Sequence, residues 1–194
     1  MAKVINRCPW GNNGPVMLKY HDEEWGVRVT DDKKLFEFLI LEGAQAGLSW
    51  ELILKRREGY RKAFADFEVK KVANFSDKKI EKLLQDPGII RNKLKVRSAV
   101  HNAKLFIEVQ REFGSFYNYS MQFVGGKPKI NKRQKMSDYP ATTEESDLFS
   151  KDLKEKGFKF VGSTIIYAHM QACGMVNDHL TSCFRYTEIN NSFL

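Results

Sequence analysis

The chain has 194 residues, of which 42% are hydrophobic and 12% aromatic, enough for one globular domain with a core and too apolar for a disordered chain. No run approaches the roughly 18 apolar residues of a membrane-spanning helix, so we expect no membrane partner and a soluble, cytoplasmic protein. The net charge of +8 favours a polyanionic partner, although a merely basic protein is the equal alternative.

Helical spacing of apolar residues and helix-capping residues predict a mainly α fold. Asp31 and Asp32 can cap a helix that starts near Lys33. Ser49 can cap a second helix over residues 50–62. No series of alternating strands is present, so we expect few or no strands.

Further along the chain, Ser76 begins a third helix that stops at residues 86–88. Pro87 disfavours helix at the residue before it, and Gly88 readily adopts positive φ. A long helix follows over residues 92–113 and stops at Gly114. Its apolar positions lie mostly on one side: Leu94, Val96, Ala99, Val100, Ala103, Leu105 and Phe106.

Two helices are predicted in the last third of the chain. Thr142 and Glu145 form a capping box for a helix that ends at Gly157. Ser163 begins the last strong helix, which ends at Gly174. No linker separates two independent units, so residues 1–194 are predicted to form a single domain.

Two cysteines and two histidines at opposite ends of the chain form a candidate metal site. Cys8 and His21 lie near the N-terminus, and His179 and Cys183 have a spacing that places both on one face of a helical turn. These donors suit tetrahedral Zn²⁺, and four protein ligands would make the ion structural. Two buried thiols and two ordinary histidines are the alternative. Cys173, in an apolar helix, is predicted to be a core residue.

Aromatic residues are concentrated in the first fifty residues. Trp10, Trp25 and Trp50 are the three tryptophans of the chain, and Tyr20 precedes a candidate ligand. Such rings stack on planar heterocycles at about 1–3 kcal/mol per base and attract cationic rings through cation–π interaction. A single tryptophan would be assigned to the core, whereas these four side chains together favour a binding site.

Charged residues raise two further candidates. Glu42 follows an apolar helical run, where a carboxylate is costly to bury unless it has a partner or a task, and a solvated helix end is the equal alternative. Two basic groups could contact phosphates or form solvated surface, and the group beside residues 86–91 is the better candidate. The two groups are Arg91, Lys93, Lys95 and Arg97, and Lys127, Lys129, Lys132, Arg133 and Lys135.

Six segments make the chain similar to the 3-methyladenine DNA glycosylase I family over about residues 7–186. They are Arg-Cys-Pro-Trp (7–10), Tyr-His-Asp-Glu-Glu-Trp-Gly-Val (20–27), Leu-Glu-Gly-Ala-Gln-Ala-Gly-Leu-Ser-Trp (41–50), Gly-Ile-Ile-Arg (88–91), Gly-Phe-Lys-Phe-Val-Gly (157–162) and Met-Gln-Ala-Cys-Gly-Met-Val-Asn-Asp-His (170–179). The resemblance implies a helix-hairpin-helix DNA glycosylase with one structural zinc ion that joins the N- and C-terminal segments.

The resemblance also implies site residues. The zinc ligands would be Cys8, His21, His179 and Cys183. The base pocket would be formed by Trp10, Tyr20, Trp25, Glu42 and Trp50. DNA would be contacted by Gly47 and Leu48, which would enter the gap left by a flipped-out nucleotide, and by the hairpin residues Gly88, Ile89, Ile90 and Arg91 with Lys93. Ile90 stands where a second glycine is common, which weakens the expected grip of the hairpin on phosphate.

The implied reaction is hydrolysis of the bond between N3-alkylated adenine and deoxyribose in double-stranded DNA, with release of 3-methyladenine. Glu42 would accept hydrogen bonds from the flipped base, and the lack of a candidate Schiff-base lysine predicts hydrolysis without strand cleavage. Two alternatives are a zinc-stabilised protein that only binds nucleic acid and a hydrolase with zinc-activated water. We expect a monomer.

Overall fold

The structure, a computed structural model, describes residues 5–193 of the chain. Within that range the chain forms ten α-helices and two strands of two residues each, which confirms the mainly α fold. The predicted domain also includes residues 1–4 and 194, which lie outside the described residues. Among the described residues, no helix is both long and apolar enough to cross a membrane.

The helices follow one another along the chain, with the longest connection between α7 and α8. They are α1 (Pro15–Glu23), α2 (Asp32–Gln45), α3 (Trp50–Ala63), α4 (Val69–Ala73), α5 (Asp77–Leu83), α6 (Lys93–Phe113), α7 (Phe116–Met121), α8 (Glu144–Glu155), α9 (Ser163–Ala172) and α10 (Phe184–Ser192). Strands β1 (Lys129–Ile130) and β2 (Val176–Asn177) pair in parallel, with Lys129 opposite Val176.

Helix α2 is the centre of the molecule. Every residue from Leu35 to Ala44 is buried, and the helix contacts α3, α6, α7 and α9. A helix that is buried on all sides, rather than along one stripe, lies inside a core. Polar side chains on α2 are therefore enclosed by protein, and this decides the environment of Glu42.

Local sequence signals predicted the starts of α2, α3, α5 and α6 correctly. The Asp31 carboxylate accepts hydrogen bonds from two backbone N–H groups of α2, and Ser49, Ser76 and Asn92 cap α3, α5 and α6 in the same way. Asp32 has a different partner from the one predicted. Its carboxylate accepts from the backbone N–H groups of Phe116 and Tyr117, at 2.9 and 3.0 Å, and so stabilises the start of α7.

The two helix starts predicted after residue 140 are shifted by one residue. Thr143, not Thr142, caps α8, and its box partner is Ser146 rather than Glu145. The Glu145 carboxylate is instead paired with Lys129. The N-cap of α9 is Gly162, and Ser163 is the first helical residue.

Other differences from the prediction have tertiary causes. Helices α1, α4, α7 and α10 were not predicted, and each of them has nine residues or fewer. Leu94 was placed on the apolar face of α6 but is 70% exposed, because the first turn of that helix extends beyond the core. Gly88 does not adopt positive φ. Cys173 is a buried core residue as predicted, and its sulfur lies 3.7 Å from His169 Nδ1, a neighbour that the sequence analysis overlooked.

Candidate functional site

The four candidate metal ligands come together in the folded chain. Their ligand atoms all lie within 4.8 Å of one another, and all four residues are buried. Cys8 precedes a short 3-10 helix, and His21 lies on α1. His179 and Cys183 do not share a helical turn, as was predicted. They lie in the loop between β2 and α10, and Cys183 is the N-cap of α10.

The geometry of these four residues fits a tetrahedral metal ion. Cys183 Sγ lies 3.5 Å from His21 Nε2 and 3.6 Å from His179 Nδ1, and Cys8 Sγ lies 3.7 Å from His179 Nδ1. Bonds of about 2.3 Å to sulfur and about 2.0 Å to nitrogen would place such ligand pairs about 3.5 Å apart around one ion. The donor set and its spacing therefore suit a metal with four protein ligands.

Neighbouring groups orient the two histidines for this role. His21 Nδ1 lies 2.8 Å from Asp22 Oδ1, and His179 Nε2 lies 3.0 Å from the backbone oxygen of Trp25. These contacts direct the other ring nitrogen of each histidine toward the two cysteines. Hydrogen-bond partners of metal-binding histidines orient the rings in the same way. The hydrogen bond from Cys8 lowers the pKa of Cys183 against the opposing effect of burial, and so favours its thiolate, the form that binds metal.

A cavity of about 260 Å³ opens beside this metal site. Its lining includes all five residues that the family resemblance assigned to a base pocket, Trp10, Tyr20, Trp25, Glu42 and Trp50. The remaining lining residues were not predicted: Met17, Gln45, Met136, Tyr139, Ala168 and Gln171. Gln45 and Gln171 lie within the quoted family segments, which is the one signal that could have identified them. The others are brought to the cavity by tertiary packing.

The aromatic walls of the cavity contact one another and the metal site. Trp10 lies edge-on to Trp25, with ring centres 4.9 Å apart, and Tyr20 lies 5.5 Å from Trp50. Trp10 also lies 5.0 Å from His21. The pocket walls and the metal ligands thus form one packed unit, in which a shift of the ligands would move the walls.

Among the residues that the structure describes, Glu42 is the one carboxylate that lines this cavity. Its side chain lies near the end of α2 and is 3% exposed. Among the described residues it has no ion-pair partner, and burial raises its pKa to about 8. Burial, and then the proximity of Glu42, also raise the pKa of Tyr20. A buried carboxylate without a partner is costly, and such groups occur where a ligand supplies the missing partner.

The predicted hairpin lies between α5 and α6 and packs tightly on α3. A Cβ atom on Gly59 of α3 would lie only 2.2 Å from the backbone oxygen of Gly88, so glycine is required there for this close approach. Ile89 is buried, and the Ile90 backbone N–H donates to the Tyr60 hydroxyl at 3.2 Å. Arg91 is exposed beside these residues.

The two basic groups differ in how many of their charges are already paired. Lys95 donates to backbone oxygens at the end of α2, and Arg97 pairs with Asp77 and Glu81. Within residues 5–193, Arg91 and Lys93 of the hairpin group have no ion-pair partner. In the loop group, Lys129 pairs with Glu145 and Arg133 with Asp178, and the exposed members without an ion-pair partner within residues 5–193 are Lys127, Lys132 and Lys135.

The segment predicted to enter DNA forms a tight turn between α2 and α3. Gly47 is exposed with φ of 78°, a conformation that favours glycine, and Leu48 is half-buried. The Gln45 side chain donates to the Leu48 backbone oxygen at 3.0 Å. Gln45 also lines the cavity. The turn at Gly47 therefore lies beside the cavity and is stabilised by a cavity-lining side chain.

Comparisons with known proteins agree with this geometry. The methyladenine glycosylase family model matches residues 10–186. The DNA-3-methyladenine glycosylase 1 of Escherichia coli is 45% identical, over 94% of this chain and 97% of that protein. The DNA-3-methyladenine glycosylase of Haemophilus influenzae is 42% identical, over 93% and 97%. A solved structure of 3-methyladenine DNA glycosylase I from Staphylococcus aureus, which concerns how that protein recognises 3-methyladenine, is also similar. It is 37% identical to this chain with a TM-score of 0.89, and the match covers 94% of this chain and 97% of that one.

Proposed function

Since the chain belongs to the methyladenine glycosylase family, we propose that it is a DNA-3-methyladenine glycosylase of base excision repair. It hydrolyses the bond between N3-alkylated adenine and deoxyribose in double-stranded DNA. The observation that best supports this activity is a cavity lined by five aromatic side chains around the unpartnered carboxyl group of Glu42. Such a cavity suits a flat cation with N–H donors better than it suits a neutral or anionic ligand.

The reaction needs little acid catalysis, because alkylation already makes the base a good leaving group. The alkylated nucleotide leaves the base stack and enters the cavity. The bond from C1′ to the base then breaks, and its electron pair neutralises the cationic ring. Water adds to C1′ and loses a proton, which leaves an abasic sugar and neutral 3-methyladenine. No protein nucleophile is needed, so we expect no strand cleavage.

Five of the cavity residues have a role in this scheme. Glu42 accepts hydrogen bonds from the flipped base, and its negative charge stabilises the cation that forms at the sugar. Trp50 and Tyr20 stack on the base, and Trp10 and Trp25 complete the walls. The ionised form of Glu42, which burial disfavours in the free protein, is restored when the cationic base enters the cavity.

DNA is held outside the cavity. Gly47 and Leu48 enter the gap that the flipped nucleotide leaves. Their turn lies at the cavity, which supports this role. The hairpin and the start of α6 bind phosphate. The positive charges of Arg91 and Lys93, which have no ion-pair partner within residues 5–193, support this assignment. Of the residues assigned to this surface, Gly88, Ile89, Ile90, Arg91 and Lys93, the exposed Arg91 and Lys93 are the best placed to contact phosphate, because Ile89 is buried and the Ile90 backbone N–H already donates to the Tyr60 hydroxyl.

The metal ion at the four-residue site is Zn²⁺ with a structural role. Cys8, His21, His179 and Cys183 would fill all four positions of a tetrahedral ion, so no position would be left for a catalytic water. The ion would join the N-terminal segment to the loop before α10 and so support the pocket walls. This arrangement argues against the alternative of zinc-activated water.

Release of free bases from methylated DNA tests the activity. The purified protein should release 3-methyladenine and leave abasic sites whose strands remain intact until alkali is added. No release above an enzyme-free control would contradict the proposal and favour a protein that only binds nucleic acid. Strand breaks without alkali would contradict the hydrolysis without a lyase step.

A further inference from the structure

Gln171 is a polar cavity residue to which the proposed mechanism gives no role. It lies in the last turn of α9, and its side chain lines the cavity together with Glu42. Its backbone oxygen accepts a hydrogen bond from Gly26 N at 3.0 Å, which fixes that turn against the segment after Trp25. The position of the side chain at the cavity is therefore well determined by the fold.

A buried carboxylate sets the orientation of the Gln171 amide. Gln171 Nε2 donates to Asp178 Oδ2 at 2.7 Å, and Asp178 is 1% exposed. An ionised carboxylate can only accept hydrogen bonds, so the opposite orientation of the amide would place oxygen against oxygen. Other donors hold Asp178 in place, namely Asn131 Nδ2 at 2.7 Å, Arg133 Nε at 3.3 Å and the Tyr167 hydroxyl.

The other end of the amide is left for a ligand. Because Asp178 does not line the cavity, the amide nitrogen is directed away from it and the carbonyl oxygen remains on the cavity side. Within residues 5–193, no donor is bonded to Gln171 Oε1, and this oxygen is not among the fully buried polar atoms without partners. The cavity thus presents a fixed carbonyl acceptor in addition to Glu42.

We infer that Gln171 is a specificity-determining residue, whose carbonyl oxygen accepts a hydrogen bond from the exocyclic amine of the flipped adenine. This inference rests on the proposed function. Adenine carries an –NH₂ donor at C6, whereas guanine carries a carbonyl acceptor there. A carbonyl that cannot rotate to present its nitrogen accepts from the first base and repels the second. A site that is built for one donor pattern rejects a base that lacks it, because buried polar groups are left unpaired.

The test compares the wild type with Gln171→Met, which keeps the length of the side chain and removes both polar ends. Two quantities are measured: the single-turnover rate of 3-methyladenine release, and the affinities for free 3-methyladenine and 3-methylguanine from tryptophan fluorescence. We expect the rate and the 3-methyladenine affinity to fall about tenfold, since a net hydrogen bond is lost. The 3-methylguanine affinity should stay the same or rise. Gln122→Met, at an exposed glutamine outside the cavity, is the matched control and should change none of these quantities.

The outcomes separate this inference from the proposed function. If affinities for both bases fall equally, or neither changes, Gln171 does not select the base, although the glycosylase activity of the wild type stands. If the wild type itself releases no 3-methyladenine, the proposed function fails first. If Gln171→Met does not fold, a crystal structure of the wild type with free 3-methyladenine decides. Gln171 Oε1 about 3 Å from the exocyclic nitrogen supports the inference, and a separation beyond about 3.5 Å overturns it.

Discussion

The Glu42 side chain is buried at a high cost in free energy, and its carboxyl group lines the cavity without a bonded partner among the described residues. It lies on the helix that is most enclosed by the fold, and the residues described around it offer it no cation and no hydrogen bond. An aqueous carboxylate would bind a cationic base only weakly, because water screens the charge. Inside the cavity the same attraction is stronger and is available only to a base that has left the DNA helix.

Replacement of Glu42 by glutamine should abolish most excision without loss of the fold. Glu42→Gln keeps the shape of the side chain but removes the negative charge, so we expect release of 3-methyladenine to fall by about 100-fold or more. Single-turnover release from methylated DNA measures the effect. Glu51→Gln, at a carboxylate on α3 that does not line the cavity, is the matched control. Wild-type turnover by Glu42→Gln would remove the assigned role.

The same variant should be more stable than the wild type in alkaline solution. Burial raises the pKa of Glu42 from 4.5 to about 8, so the folded state binds this proton more tightly than the unfolded state does. The resulting stabilisation is complete below about pH 4.5 and is lost as the pH rises toward about 8. Relative to Glu42→Gln, the wild type should lose about 4 kcal/mol of unfolding free energy over this range. Urea unfolding at several pH values measures it, and parallel pH profiles would contradict the burial of an unpartnered carboxyl group.

Among the helices, α2 and α6 are joined by one side chain where the cavity meets the proposed DNA surface. Lys95 of α6 donates to the backbone oxygens of Ala44 and Ala46, at 2.8 and 2.6 Å. The last carbonyl groups of a helix lack partners within the helix, and a cation there also interacts favourably with the helix dipole. Lys95 therefore holds the turn at Gly47 in a set position relative to the hairpin.

Loss of this link should impair excision more than it impairs folding. We expect Lys95→Met to lower the unfolding free energy by about 1–2 kcal/mol and to slow release of 3-methyladenine, because the turn at Gly47 is no longer held. Urea unfolding and single-turnover release measure the two effects. Lys104→Met, at an exposed lysine of the same helix, should change neither. A normal release rate in folded Lys95→Met would show that Lys95 has no positioning role.

In the molecule as a whole, the metal site connects the two ends of the chain. Cys8 and His179 are 171 residues apart in sequence, yet Cys8 Sγ and His179 Nδ1 lie 3.7 Å from each other in the folded chain. A crosslink that closes so long a loop stabilises the fold by about 5 kcal/mol in the loop-entropy model. The same residues contact the aromatic walls of the cavity, so the ion would support both the stability of the fold and the shape of the pocket.

Two cysteine variants separate a metal role from ordinary burial. Cys183→Ala should lose bound zinc and lower the melting temperature, and a strong chelator should have a similar effect on the wild type. Cys173→Ala removes an equally buried thiol outside the site and should keep one zinc ion per chain. Zinc content and thermal melting measure both. Unchanged melting of Cys183→Ala would contradict a structural clamp.

A single domain over residues 1–194 and a monomeric state stay predictions.

The helix starts were predictable from the sequence because a cap depends on neighbours three residues away, as at Asp31, Ser49 and Asn92. The clustered cysteine and histidine side chains and five of the cavity-lining residues could be predicted because their residue types and the family segments are specific. Tertiary packing alone decided the rest. The enclosure of Glu42 depends on four helices that meet around α2, and the helical turn predicted for His179 and Cys183 is replaced by a loop. The orientation of Gln171 depends on Asp178, and no pattern along the chain shows which side chain will meet a buried carboxylate.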